Sequence, residues 1–224
     1  MRVRIPTMRI LLATTNHGKI VELKRILGHA GVEVVELGDL ATIKEIETGS
    51  TFTENALLKA RYYLVASGLP TIADDSGLEV DALGGAPGVY SARYGTAGAS
   101  DADRVNKLTE ALKGVPLERR GARFVCVAAI AWDGGERTFT GEAHGRILDE
   151  PRGRDGFGYD PVFFYEPLAR TFAELTAIEK AEVSHRGIAF RRLVSWLREG
   201  AALDTSRPGD RIENPTGDSF ACSQ

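Results

Sequence analysis

Thr71-Ile72-Ala73-Asp74-Asp75-Ser76-Gly77 decides how this chain is read. Thr71-Ile72-Ala73 reads as the end of a buried strand, followed at once by two carboxylates, a hydroxyl and a glycine. In open α/β sheets ligands bind outside the carboxyl ends of the strands, so the acidic pair is expected to emerge at such an edge. Two like charges packed there repel unless a cation or a shifted pKa relieves them. A Mg²⁺ shared between carboxylates and substrate phosphates would do so. An Asx-type turn that only ties down backbone is the competing reading.

The flanking sequence sets this strand among alternating elements. Ile10-Leu11-Leu12-Ala13 is a second buried-strand candidate, running through Thr14–Lys19 into a helix whose Ile20, Leu23 and Leu27 share a face. Residues 32–37 read as a strand. Thr53 can cap a helix to about Ser67, on which Ala56, Ala60, Tyr63 and Ser67 keep helical spacing. The strand at 71–74 follows, and residues 90–100 look irregular. Residues 101–112 form a helix capped by Ser100 or Asp101, and 122–132 with 136–143 form a hairpin turning at Asp133-Gly134-Gly135. A glycine-rich loop over 151–160 precedes a short strand at 162–165 and helices at 174–183 and 184–198. On the last helix Ala189, Leu193, Trp196 and Leu197 share a face. Early alternation with a hairpin in the middle predicts a mixed sheet. Residues 1–7 read as a short extension before Met8, 8–200 as the folded domain, and 201–224 as a flexible tail without periodicity.

A chain of 224 residues with 43% hydrophobic and 26% charged residues can bury a real core. Its net charge of −3 gives no bulk attraction to nucleic acid or an anionic membrane. Neither is an expected partner, and an anionic substrate would have to meet cations placed locally. The two cysteines, Cys126 in an apolar run and Cys222 in the polar tail, make no disulfide framework and no zinc spacing. No stretch reaches transmembrane length or supplies a signal-peptide core. A cytoplasmic protein is expected.

Four further stretches can carry chemistry. Thr14–Lys19 lies between a strand and a helix, where backbone N–H groups and the Lys19 ammonium favour an anion; it lacks Walker A spacing, and an ordinary Asn-Gly turn competes with that reading. Asn55 and Lys59 lie four residues apart on one helix face, with Glu54 placed to serve the helix N-terminus; Lys59 could equally be a solvated edge. Gly153-Arg154-Asp155-Gly156-Phe157-Gly158-Tyr159-Asp160-Pro161 offers glycines for close approach of backbone to a ligand, flat aromatic faces for a base, and Asp160 for a base edge. A surface loop pinned by its aromatics is the alternative there. His185 and Arg186 start the last helix, where cations oppose the macrodipole unless an anion or acidic partner compensates.

Taken in order and with their spacing, Thr14-Thr15-Asn16-His17-Gly18-Lys19, Glu47-Thr48-Gly49, the run Phe52 to Ala60, Asp74-Asp75-Ser76-Gly77-Leu78, Gly84-Gly85-Ala86-Pro87-Gly88, Gly156-Phe157-Gly158-Tyr159-Asp160-Pro161, Glu179-Lys180 and Ser184-His185-Arg186-Gly187 resemble the inosine/xanthosine triphosphate pyrophosphatase family. These are the house-cleaning, or Ham1-like, enzymes. The likeness runs from about Met8 to Arg198. It implies an α/β fold with an elongated mixed β-sheet flanked by helices, two lobes enclosing a long nucleotide-binding cleft, and a homodimer. It also implies Mg²⁺-dependent hydrolysis of ITP, dITP and XTP to the monophosphate and pyrophosphate.

By the same resemblance, Asp75 matches the general base and a metal-associated carboxylate, and Glu47 a second metal-associated acid. Thr14, Thr15, Asn16, His17, Gly18, Lys19 and Lys59 match positions that hold the triphosphate, with Ser76 beside the reacting centre. Phe157, Gly158, Tyr159, Asp160, Lys180, His185 and Arg186 match positions that grip the base and its 6-oxo group. Thr15 departs from the pattern, standing where many relatives have a smaller residue, usually glycine. Two other readings stay open: a Maf-type pyrophosphatase acting on pyrimidine or modified nucleotides, and a nucleotide-binding sensor that does not hydrolyse. Lys180 with Ser184-His185-Arg186 argues against the first, and the acids Glu47 and Asp75 against the second.

Overall fold

Continuous apolar runs with little room for water become the central strands of one sheet. The computed structural model describes residues 8–28, 30–38, 40, 48–96 and 98–199. Its strands are β1 (Arg9–Leu12), β2 (Glu33–Glu36), β3 (Thr71–Val80), β4 (Gly121–Trp132), β5 (Gly135–Ile147), β6 (Phe163–Tyr165) and β7 (Arg170–Thr171), in the spatial order β2-β1-β3-β4-β5-β6-β7. β1 is parallel to β2 and β3, and every other neighbouring pair is antiparallel. The expected mixed α/β sheet is therefore present. The helices are α1 (His17–Leu27), α2 (Phe52–Ser67), α3 (Asp101–Ala111), α4 (Ala177–Val183) and α5 (His185–Arg198).

β3 differs most from its sequence reading. It does not stop near the acidic pair but continues to Val80, because β4 supplies a partner at every step from Thr71 opposite Ala131 to Val80 opposite Ala122. Asp74 and Asp75 thus lie in mid-strand, and the turn reading fails with the strand-end reading. Smaller shifts follow local chemistry. Thr51, not Thr53, caps α2: its hydroxyl accepts from the Glu54 N–H while the Glu54 carboxylate accepts from the Thr51 N–H, a capping box. Ser100 caps α3 in the same way with Asp103. Residues 88–93 form a 3-10 segment that runs into the stretch read as irregular, and a 3-10 turn at 172–174 precedes α4, which starts at Ala177 and not Glu174.

Alternation along the strands sorts the core into layers. Odd-numbered Ala73, Val125, Val127 and Ala129 pack under Ala56, Ala60, Tyr63 and Leu64 of α2. Even-numbered Ile72, Cys126, Ala128 and Ile130 pack under Leu23 and Leu27 of α1 and Phe190 and Leu193 of α5. Farther along the same face, Leu78, Val80 and Phe124 meet Val105 and Leu108 of α3 together with Phe163 and Phe172. The even face therefore carries two separate apolar clusters, one at each end.

α5 comes so close to β5 that only glycine fits between them. A Cβ on Gly141 would lie 2.2 Å from the His185 carbonyl oxygen and 2.5 Å from the Ala189 nitrogen, both backbone atoms. That contact sets the height at which His185 and Arg186 begin the helix. Gly141→Ala is expected to cost about 2 kcal/mol through overpacking, lowering the thermal midpoint by about 4–8 °C. Differential scanning calorimetry of the variant beside the wild type reads it directly, and an unchanged midpoint would show that α5 can shift freely.

Candidate active site

β1 reaches only Thr71 and Ile72 of β3 before it ends at Leu12. Beyond Ile72 that edge of β3 has no strand beside it, and a cleft of about 800 Å³ opens over it. The first residues after β1 turn into α1, with the Asn16 side chain capping the helix by accepting from the Lys19 N–H at 3.0 Å. Thr14, Thr15, Asn16 and Lys19 line the cleft, as expected of an anion-binding turn. His17 and Gly18 do not. His17 is exposed, and Gly18 lies behind Phe157, whose ring a Cβ there would meet at 2.6 Å.

The two acids do not repel across a shared site, because the pleat sends them to opposite faces. Asp75 joins the α2 side, where its Oδ2 accepts from Asn55 Nδ2 at 3.0 Å and its Oδ1 lies 3.8 Å from Lys59 Nζ. Lys59 also donates to the Asp74 carbonyl oxygen at 2.5 Å. Its ammonium is held inside the cleft, so the solvated-edge reading of this lysine does not hold. Asp74 joins the α1 and α5 side, with Lys19 Nζ at 2.8 Å from Oδ2, Ser76 Oγ donating at 3.3 Å and Arg186 Nε at 3.5 Å. Burial alone would raise the Asp74 carboxyl. The Lys19 ammonium above all, with Arg186 and Lys59, instead holds it well below the usual carboxylate range.

From Arg186 a line of alternating charges runs on to Asp160. Arg186 is 2% exposed; its two terminal nitrogens donate to Glu22 Oε2 at 2.7 Å and to Ser76 Oγ at 2.9 Å. Glu22 also accepts from Lys180 at 2.7 Å, and Lys180 donates onward to Asp160 at 2.5 Å. Burial pushes the Glu22 carboxyl up, but Arg186 and Lys180 outweigh it and the net shift is downward. Lys19, Asp74, Arg186, Glu22, Lys180 and Asp160 thus alternate in sign. The cation at the start of α5 has the acidic partners that its position demands.

The aromatic loop is built from within. Gly153, Gly156 and Gly158 all have left-handed backbone angles, with φ of 82°, 79° and 63°. Gly156 leaves room for the Asp160 carboxylate, which a Cβ would meet at 2.1 Å, and Asp160 Oδ2 accepts from the Phe157 N–H at 2.8 Å. These glycines shape the loop more than they admit a ligand; among them Gly158 lines the cleft, its N–H donating to Asp101 Oδ2 at 2.7 Å. Tyr159 lines the cleft but is a core residue, 4% exposed, with its hydroxyl donating to the Ser91 carbonyl at 2.9 Å. Phe157 is the ring left half-exposed. Lys180 Nζ lies 5.0 Å and Arg186 Cζ 5.5 Å from its centroid, a cation–π arrangement that fixes it.

Ser76, Asp160, Lys180, His185 and Arg186 line the cleft together with Asp75 and Lys59. Glu47 lies outside the described residues. Glu22 was not singled out by the sequence, although it stands three residues after Lys19 on the same face of α1, a spacing that marks a pair. The sequence places Asn55 on one helix face with Lys59 without pairing it with Asp75; Arg93, Asp101 and Arg104 along the cleft wall carry no comparable sequence signal.

His185 is 4% exposed and stacks on Phe124 with ring centroids 4.6 Å apart and planes 7° from parallel. Burial first, then the neighbouring Arg186 and Lys180, push its pKa well below the ordinary imidazole value, so the native ring is neutral. The unfolded chain takes up a proton below about pH 6.5 and the native ring does not. The stability this supplies is full above that pH and is lost as pH falls toward the native pKa. The expectation is an imidazole NMR signal that stays unshifted from about pH 8 to about pH 5.5. Urea unfolding should show a loss of roughly 1 kcal/mol between about pH 6.5 and pH 5.5 that His185→Gln lacks. A titrating signal would place a charged ring in the core and refute this.

Comparison with known proteins gives a consistent picture. The Ham1 family model matches residues 10–196. The chain is 50% identical over 194 residues to a dITP/XTP pyrophosphatase of Yersinia pseudotuberculosis, covering 85% of this chain and 98% of that one. It is 52% identical over 201 residues to a dITP/XTP pyrophosphatase of Frankia alni, covering 86% and 98%. Among solved structures, a HAM1 protein from Coxiella burnetii superposes with a TM-score of 0.80 at 41% identity, covering 87% of this chain and all of that one. With a family match across most of its length and relatives at half identity, this chain belongs to the Ham1 family.

Proposed function

We infer that this protein hydrolyses the non-standard purine nucleoside triphosphates ITP, dITP and XTP to the monophosphate and pyrophosphate, removing them from the nucleotide pool. The observation that carries this reading is one cleft lined both by Lys19, Lys59 and Asp75 and by a neutral His185, Arg186, Lys180 and Phe157. Relatives at about half identity that are named dITP/XTP pyrophosphatases support it. They favour it over the Maf-type alternative, and Asp75 poised beside phosphate-binding lysines favours it over a non-hydrolysing sensor.

At the phosphate end, Lys19 and Lys59 neutralise phosphate oxygens, assisted by N–H groups at the start of α1. No group of three or more His, Cys, Asp or Glu is placed to hold a metal among the described residues. Asp75 is one carboxylate at that end, and Mg²⁺ characteristically takes one or two carboxylates and completes its shell with substrate phosphates and water. Asp75 therefore fits a Mg²⁺ shared with substrate phosphates, and the resemblance adds Glu47 as a second ligand; when bound, the ion would offset charge on the phosphates. Asp75 accepts the proton of a water whose oxygen bonds to the α-phosphorus. The bond from that phosphorus to the bridging oxygen breaks, and pyrophosphate leaves against the two lysines. Asn55 keeps the Asp75 carboxylate oriented for this step.

At the base end, Phe157 stacks on the purine. Arg186, Lys180 and the His185 ring border the base edge, where a 6-oxo group accepts from donors that a 6-amino group would leave unpaired. A homodimer in the cytoplasm completes the proposal. No described helix is long and apolar enough to cross a membrane.

Product analysis with Mg²⁺ across ITP, XTP, GTP, ATP and dTTP tests the reading. Pyrophosphate from ITP and XTP with little from ATP or GTP is expected; orthophosphate, or a preference for dTTP, would refute it. Asp75→Asn is expected to fold and still bind nucleotide while turnover falls about 100-fold or more. Near-wild-type turnover would remove Asp75 from its role.

A further inference from the structure

Asp74 is not needed by the chemistry above, yet it is among the most buried charges in the molecule, 1% exposed in mid-strand. Its two oxygens are used unequally. Oδ2 receives the Lys19 ammonium and the Ser76 hydroxyl, whereas Oδ1 is buried with no hydrogen-bond partner among the described residues. Beside it, Arg186 Nε is also buried and unpartnered, 3.5 Å from Oδ2, too far or too poorly aligned to bond. A buried donor and a buried acceptor left unpaired are both costly. Here they are complementary in charge and belong to side chains whose nearest charged atoms are already 3.5 Å apart, and turning the Asp74 carboxylate would join them. The Lys19 contact at 2.8 Å holds the carboxylate away from that turn. Of the two cations at Asp74, Lys19 has the freer exit: it stands in the first turn of α1, lines the cleft, and keeps 14% of its side chain exposed against 3% for Arg186.

We propose that Asp74 is a positioning residue that couples the two ends of the site: it holds Lys19 while the phosphate end is empty, releases Lys19 to an incoming polyphosphate, and then closes on Arg186 Nε. In the closed arrangement Arg186 is held by Glu22, Ser76 and Asp74 together, so filling the phosphate end stiffens the group beside Phe157 and His185 at the base end. Asp74 is the side chain that contacts both Lys19 and Arg186. This inference rests on the reading of Lys19 as a phosphate group and Arg186 as a base group. It adds that the two are linked, so that half a substrate improves the site for the other half. Such linkage is reciprocal by thermodynamic necessity.

The test uses two fragments and no metal. Inosine binding to the full-length protein is measured by calorimetry in the presence of a chelator, with and without saturating inorganic pyrophosphate. In the wild type, pyrophosphate is expected to tighten inosine binding about fivefold or more. In Asp74→Asn, a neutral isostere, both fragments should still bind but the tightening should vanish. Lys19→Met is the sharper variant: with no ammonium to hold it, Asp74 is already free to close on Arg186. Inosine should then bind this variant, without pyrophosphate, as tightly as it binds the pyrophosphate-loaded wild type. A merely structural role for Asp74 does not produce a gain of affinity on removing a lysine. If both fragments bind the wild type independently, the coupling is refuted and the site assignment stands. If pyrophosphate binds and inosine does not, the base-site assignment fails and the coupling fails with it.

Discussion

A β-strand sends successive side chains to opposite faces of its sheet, and in β3 that rule separates Asp74 from Asp75 by the thickness of the sheet. Each carboxylate then meets a different helix set. α2 brings Asn55 and Lys59 to Asp75, and α1 with α5 brings Lys19 and Arg186 to Asp74. The cleft lies where β1 leaves β3, so both faces of one strand contribute to a single site. The position of nearly every polar side chain in the cleft follows from this arrangement.

The arrangement is expensive in isolation. Removing one partner of a buried ion pair commonly costs about 3–5 kcal/mol, because the other charge is left unpaired. The alternating series from Lys19 to Asp160 meets the difficulty by giving each charge neighbours of opposite sign. Arg186 stays fully charged in the interior because Glu22 and Asp74 flank it, outweighing its own burial. His185, one residue earlier, is ion-paired with no carboxylate among the described residues and resolves the same problem by staying neutral. Two adjacent residues at one helix start thus show the two available solutions.

Most of the element types could be read from apolar periodicity, since the core strands are continuous runs and α2 and α5 keep helical spacing. The error at β3 has a physical origin. An acidic pair signals a strand end when only local propensity is weighed, and the cations that let it stay in mid-strand come from residues 19, 59 and 186, far away in sequence. Glu22 escaped attention for the same reason: its partners Lys180 and Arg186 lie on α4 and α5. The aromatic loop was legible as a site, but its glycines and Asp160 serve the backbone of the loop itself. The motif identified the place and left the division of labour to the tertiary structure.

Lys19 and Glu22 are three residues apart on α1, a rise of about 4.5 Å, and Asp74 and Asp75 are neighbours on β3. These two rigid elements set the spacing between Lys19, proposed to meet phosphates, and Glu22, which holds Arg186 on the proposed base side. The site is consequently a gauge of fixed length. Divergence of this scaffold toward other nucleotides has to proceed by exchanging side chains at the rim, because lengthening or shortening the gap would require a register change in a helix or a strand that also carries the core.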